Sequence, residues 1–189
     1  MKQINQFINK YIVKKKLDKP INSEDHYEYY PETKQELIKN IQELLNKNIH
    51  NFNCIDTSAI TDMSKLFCNE GFEKIKFKGK SIENWDISNV ENMAGIFYKC
   101  KKLNCDLSNW NVSKVEIMDY MFKGCYNFKG KGLENWDVSK VKHMKHMFYN
   151  CYEFKGNGLE NWNVSNVKDM REIFYGCSLI ENKPSWYKE

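Results

Sequence analysis

Four cysteines recur at a nearly constant interval in the second half of the chain, and they are the first residues to consider for chemistry: Cys100, Cys125, Cys151 and Cys177. Thiolates bind zinc, but a structural zinc site needs four ligands that converge on one point. These ligands usually come from close C-x-x-C pairs, which this sequence lacks. One cysteine per repeat gives a line of thiols. We therefore expect packed, reduced thiols, with metal binding and disulfides as alternatives.

Histidine offers a second possible metal site, because His143 and His146 are three residues apart on a predicted helical segment. No histidine recurs in neighbouring repeats, and no third ligand is visible. Lys142 and Lys145 suggest that this face points to solvent. We expect neither a metal nor any other cofactor.

Carboxylates and serines also repeat. A catalytic carboxylate needs a cleft and a shifted pKa, whereas these acidic residues are expected in solvent. The serine column is expected to bond to a turn, because a nucleophile would be singular. The serines are Ser88, Ser113, Ser139 and Ser165. Gly130, Gly132, Gly156 and Gly158 lie in loops that reverse the chain and complete no phosphate-binding motif. The sequence predicts a protein that is not an enzyme.

The period that produces these columns is set by tryptophan. Trp85, Trp110, Trp136 and Trp162 are 25, 26 and 26 residues apart. Valine or isoleucine, methionine and phenylalanine columns accompany them, and a degenerate copy begins at Ile55. A unit this short cannot bury its own apolar face, so neighbouring units must stack.

The spacing inside a repeat indicates which elements form. Leu133, Trp136 and Val138 follow the order of a short strand, and Val141, Met144, Met147 and Phe148 have helical spacing. We therefore predict an α/β fold: a leucine-rich-repeat-like right-handed solenoid with short parallel strands and short helical segments. It would occupy residues 55–189 as about five 26-residue repeats, the last one partial.

Residues 1–54 precede the repeats and are predicted to form a helical N-terminal cap. One apolar stripe contains Ile4, Phe7, Ile8, Tyr11 and Ile12, and a second contains Leu37, Ile38, Ile41, Leu44 and Leu45. The second helix would begin near Pro31. Two helices of this kind could cover the end of the solenoid, and a separate partner-binding helix pair is the alternative.

The pattern N-W-[DN]-[IV]-S-x-V-x-x-M-x-x-[MI]-F-x-x-C resembles the 26-residue repeat of bacterial-surface-protein-type leucine-rich repeats. It covers residues 55–180. This family of unknown function occurs in mycoplasma surface lipoproteins and in giant DNA viruses of protists, and the chain is similar to leucine-rich repeat proteins of Cafeteria roenbergensis virus. The resemblance implies a repeat fold and a binding role, without catalytic residues.

Composition limits the setting and the partners. The net charge is only +4, and no run of about 18 apolar residues could span a membrane. No secretory leader or lipidated cysteine is visible, and the seven cysteines are an odd number. We therefore expect an intracellular protein, in host cytoplasm or a virion, that is not secreted and does not bind membranes.

Residues that vary around the constant columns are the candidates for binding. The predicted strand face would bind a protein, such as a host protein, through Glu83, Asp86, Ser108, Asn111, Glu134, Asp137, Glu160 and Asn163. A basic patch could hold nucleic acid weakly, or an acidic protein, through Lys123, Lys129, Lys131, Lys140, Lys142, Lys145 and Lys155. The last strand edge could pair with a second copy in a homodimer.

Overall fold

The structure is a computed structural model that describes residues 27–68, 81–177 and 183–188. Helix α1 spans Lys34–Asn46. It begins at Thr33, whose side chain accepts a hydrogen bond from the amide of Glu36, and Glu36 reaches back to the amide of Glu32 at 2.8 Å. This helix confirms the second of the two predicted helices. The first predicted helix lies outside the described residues.

The predicted strand-and-helix repeat is wrong. Among the residues the structure describes, α1 is the single α-helix, and a short 3-10 helix covers Leu133–Asn135. The β-pairing between the described repeats is limited to isolated parallel bridges, such as Ile117 with His143 and His143 with Asp169. The α/β solenoid of strands and helices that the sequence predicted is therefore replaced by successive turns.

Left-handed backbone conformations explain why the segment with helical spacing is not a helix. Tyr120, His146 and Glu172 have φ values of 60°, 54° and 52° at equivalent places in three repeats. An α-helix cannot continue through such a residue. Alternate amides are instead turned toward the following repeat, as in the 2.8 Å bond from the amide of Met118 to the carbonyl of His143.

The valine positions that predicted strands lie in turns. The amide of Val141 donates to the carbonyl of Val138 at 2.9 Å, and the same three-residue bond joins Val115 to Val112. The side chain of Asp137 accepts from the amide of Ser139 at 3.0 Å and tightens the turn. Both valines of the repeat still reach the core, because the turn buries the side chains of Val138 and Val141.

Stacked aromatic rings form the centre of the molecule. The ring centroids of Phe97 and Phe122 lie 5.7 Å apart, and those of Phe122 and Phe148 lie 5.6 Å apart. Trp136 donates its indole N–H to the carbonyl of Leu107, 3.2 Å away in the preceding repeat. The predicted core role of the tryptophan, phenylalanine and methionine columns is confirmed over most of the described repeats.

Helix α1 shares this core. Leu37, Ile41 and Leu44 are buried in the same hydrophobic cluster as the repeats. At its first turn, the Lys34 ammonium lies 2.7 Å from the hydroxyl of Ser64 and 3.5 Å from the carboxylate of Asp62. The helix therefore covers the first repeat.

Candidate interaction surface

The recurring cysteines have a structural role. The thiols of Cys125, Cys151 and Cys177 donate to phenylalanine carbonyls of the preceding repeat at 3.0, 3.0 and 2.9 Å, and all three residues are buried, as predicted. Burial raises the pKa of Cys177 to about 11 and that of Cys100 to about 12. Such thiols carry little thiolate, so they are poor nucleophiles and poor metal ligands.

Neither a cluster of metal ligands nor a membrane-spanning helix lies in the described ranges. No three histidine, cysteine, aspartate or glutamate residues come together there in a way that could hold a metal ion. Within the same ranges, no helix is long and apolar enough to cross a membrane.

The predicted protein-binding row is only partly exposed. Glu83 is buried and its carboxylate accepts from the amide of Ile82 at 3.0 Å. Asp86 and Ser108 are half-buried. The exposed members are Asn111, Glu134, Asp137, Glu160 and Asn163.

Part of this row holds the turns of the fold. Asp86, Asn111, Asp137 and Asn163 each accept a hydrogen bond from the amide of the serine two residues later, at 3.0 to 3.2 Å. These carboxylate and amide oxygens are therefore already engaged with backbone, which reduces what they can offer to a partner. The serine column bonds to a turn, as the sequence indicated, although through its amides.

Two lysines of the predicted basic patch form ion pairs with nearby carboxylates. Lys131 pairs with Asp106 at 2.6 Å, and this hydrogen bond, with those from Ser108, lowers the pKa of Asp106 to about 2. Lys142 pairs with Glu116 at 2.7 Å. Lys129, Lys140 and Lys155 are exposed and Lys145 is half-buried.

The remaining lysine of that patch belongs to a surface that the sequence analysis missed. We define the aromatic ridge as Tyr120, Lys123, His146, Tyr149 and Tyr175. The ammonium of Lys123 lies 4.0 Å from the ring centroid of Tyr149 and 5.4 Å from that of Tyr120. Tyr149 stacks on Tyr175 at 4.9 Å, and Tyr120 stacks on His146 at 5.1 Å.

The repeat geometry positions the ridge. Tyr120 and His146 occupy equivalent left-handed positions, while Lys123, Tyr149 and Tyr175 occupy the equivalent position three residues later. Stacking of the repeats then places each ring on the next. The available signal in the sequence was tyrosine recurring directly after the phenylalanine column, at 98, 149 and 175. It was weak because the column also contains a lysine.

His146 is the titratable ring of the ridge with a lowered pKa. Its side chain is 13% exposed, and its Nδ1 lies 3.4 Å from a Glu172 oxygen without making a hydrogen bond. Burial and the nearby Lys123 lower the pKa of His146, although Glu172 opposes the shift. The ring is therefore neutral at pH 7, and the fixed positive charge of the ridge comes from Lys123.

Comparison with known proteins identifies a family. The model of a family described as "Mycoplasma protein of unknown function, DUF285" matches residues 35–131 and 68–187. The chain belongs to this family. No curated protein and no solved structure matches it.

The two DUF285 matches together extend over α1 and the repeats. The family therefore confirms the mycoplasma-type domain of unknown function that the repeat pattern resembled. The columns shared by the DUF285 repeats of this chain are mostly buried, whereas the ridge lies at partly exposed positions, one of which carries tyrosine in three repeats, as Tyr98, Tyr149 and Tyr175.

Proposed function

We propose that this protein is a non-catalytic binding module that recognises a partner protein through outward-facing residues of its repeats, with the aromatic ridge as the main contact. The observation that carries the proposal is the exposed end of the ridge. Tyr175 is 59% exposed although it stacks on Tyr149. Protein interfaces are enriched in tyrosine, which combines apolar area with a hydrogen-bonding hydroxyl.

The ridge is also pre-ordered. Rings of neighbouring repeats hold each other, Tyr120 on His146 at 5.1 Å and Tyr149 on Tyr175 at 4.9 Å. Side chains that are already fixed lose less conformational entropy on binding. Three exposed or half-buried cationic residues flank or belong to the ridge, namely Lys123, Lys145 and Arg171. This composition favours a partner surface with an acidic rim.

The exposed members of the predicted row provide a second contact area in this proposal. Glu134, Asp137 and Glu160 bring negative charge that would select a basic region of the partner. The row is expected to contribute less than the ridge because it is more solvated and holds turns.

Nucleic-acid binding is the second candidate, and Lys123 beside tyrosines is the observation that favours it. Single-stranded nucleic acid binds when bases stack on free aromatic faces. In the ridge Tyr120 and Tyr149 are stacked on His146 and Tyr175, and the exposed ring is that of Tyr175 at the end. We therefore rank this function below protein binding.

The setting of the protein is part of the proposal. All seven cysteines are free thiols in this structure, which favours a reducing, intracellular compartment such as host cytoplasm or a virion. An origin in a giant virus of protists rests on the resemblance of the repeats to those viral proteins.

The test is quantitative affinity capture with the full chain and two double variants. Tyr149→Ala/Tyr175→Ala should reduce the captured partner at least tenfold, the loss expected when about 1.4 kcal/mol of contact is removed. Tyr126→Ala/Tyr152→Ala is the matched control, because these tyrosines stack at 4.8 Å outside the ridge and Tyr152 is 41% exposed.

Equal capture by both variants would refute the ridge as the contact. A titration with single-stranded nucleic acid at two salt concentrations separates the second candidate. Salt-sensitive binding that depends on Lys123 would favour nucleic acid over a protein partner.

A further inference from the structure

Several columns of backbone hydrogen bonds run from one repeat to the following repeat, whereas the amides of Glu91, Glu116, Lys142 and Lys168 donate to the preceding one. The amide of Met63 donates to the carbonyl of Asn92 at 2.9 Å, and the amides of Met93, Met118 and Met144 donate in the same way to the next repeat. Parallel columns start from Lys65, Phe67 and Lys99 and run through every following repeat. Peptide dipoles in each column are therefore aligned, as they are along a helix.

Among the described residues, the C-terminal end of these columns is only partly covered, by Trp186, which lies 6.4 Å from Trp162 and 6.1 Å from Phe174 between ring centroids. The last donors are the amides of Met170, Glu172, Phe174 and Gly176, and none of them meets an acceptor among the described residues. Apolar side chains beside them are also incompletely covered: Val164, Val167 and Met170 are half-buried, whereas their counterparts in the preceding repeats are buried.

The N-terminal end presents the complementary groups. Carbonyls of Asp62, Ser64 and Leu66 accept no hydrogen bond from any described residue. They occupy the same columns as Asn92, Ala94 and Ile96, which accept from the repeat before them. The first repeat thus offers carbonyls at the spacing at which the last repeat offers amides.

Few backbone conformations of a partner can offer hydrogen-bond acceptors to all of these unpaired amides. A β-strand edge alternates N–H and C=O groups, so it would place donors beside donors. A symmetric pair of open ends would also oppose donors to donors. A first repeat matches both the direction of the hydrogen bonds and the apolar columns.

We propose that the open C-terminal end docks the first repeat of a second copy of this chain, head to tail, and that helix α1 competes for that first repeat. The helix now covers it through Leu37, Ile41 and Leu44, with Lys34 bonded to Ser64. In the full chain the helix occupies the first repeat and keeps self-association weak. A substitution that loosens the helix therefore strengthens self-association.

The experiment is sedimentation velocity of the full chain and its variants over a hundredfold concentration range. Ile41→Ala weakens the packing of the helix, and its weight-average mass should rise at least twofold within this range while the wild type stays monomeric. Adding Met170→Lys, which places a charge on the half-buried open end, should return the mass to that of a monomer. Lys168→Glu on the same repeat is the exposed control and should not.

Three results would overturn the proposal. One is a monomeric Ile41→Ala chain whose α1 amides exchange freely with solvent. Another is association that persists with Met170→Lys, since contact would then occur elsewhere. The third is equal loss of association with Lys168→Glu. If Ile41→Ala does not fold, Thr33→Ala is used, because it removes only the 3.2 Å cap to Glu36.

Discussion

The two ends of the stacked repeats differ in how completely their apolar side chains are covered. At the N-terminal end α1 lies over the first repeat, and Ile60, Met63 and Leu66 are at most 2% exposed. At the C-terminal end Val164 and Met170 remain half-buried. A repeat therefore cannot complete its own core. It needs either the next repeat or a dedicated cover.

The difference between the ends predicts unequal costs for the same substitution. Met63→Ala should lower the free energy of unfolding by about 2 to 5 kcal/mol, because the removed side chain is fully buried. Met170→Ala at the equivalent position should cost about 1 kcal/mol, because it is half exposed already. Urea denaturation of both variants measures the difference, and equal costs would mean that the C-terminal end is covered in solution.

Much of the interior could be predicted from the sequence, because burial follows residue type and period. Tryptophan, phenylalanine and cysteine at 26-residue spacing have few stable places other than a shared core. The helix α1 could be predicted as well, since its apolar stripe and N-cap are local features.

The fold of each repeat could not be predicted in the same way. Spacing of three and four residues suits an α-helix and equally suits a series of turns. The deciding feature is positive φ at Tyr120, His146 and Glu172, which residues of these types seldom adopt. A weak signal existed in Gly124 and Gly176, at a position where all four repeats have positive φ.

The predicted binding residues failed in part for a related reason. The strand alternation that placed Glu83 outside does not exist, and the turn buries this residue. The ridge depends on contacts between repeats, which periodicity within one repeat cannot show. The stacking of Tyr149 on Tyr175 could therefore be seen only in the structure.

Thiol reactivity separates the interior from the N-terminal region. Cys54 and Cys68 are half-buried and should react first with an alkylating reagent. Cys177, whose pKa burial raises to about 11, should carry about a hundredfold less thiolate than a thiol with the ordinary pKa of 9.0, and it should react later than Cys54 and Cys68. Mass spectrometry of timed samples gives the order. Early labelling of Cys125 or Cys151 would contradict the buried thiol-to-carbonyl bonds.

Low pH should destabilise the contact between α1 and the first repeat, by less than the substitutions at Met63 and Met170. Burial raises the pKa of Asp62, but hydrogen bonds from Ser64 and Lys34 outweigh it, so the pKa in the folded protein lies below its usual value. A lowered pKa stabilises the fold above the unfolded value of about 3.9, and this contribution is lost as pH falls through the folded pKa. The contribution should be less than about 1 kcal/mol because both partners are partly exposed.

The exchange rates of α1 amides between pH 6 and pH 2 measure this effect. Asp62→Asn is the control, since it removes the titrating group. The same pH dependence in the control and the wild type would exclude Asp62 as the cause.

Amide hydrogen exchange tests most directly the central claim that the columns of amides donating to the following repeat leave their last donors without acceptors at the C-terminal end. The account predicts strong protection for the amides of Met144, His146, Phe148 and Asn150, which donate at 2.8 to 3.0 Å. It predicts rapid exchange for their counterparts Met170, Glu172, Phe174 and Gly176 in a dilute monomer. Equal protection of the two sets in the monomer would contradict it.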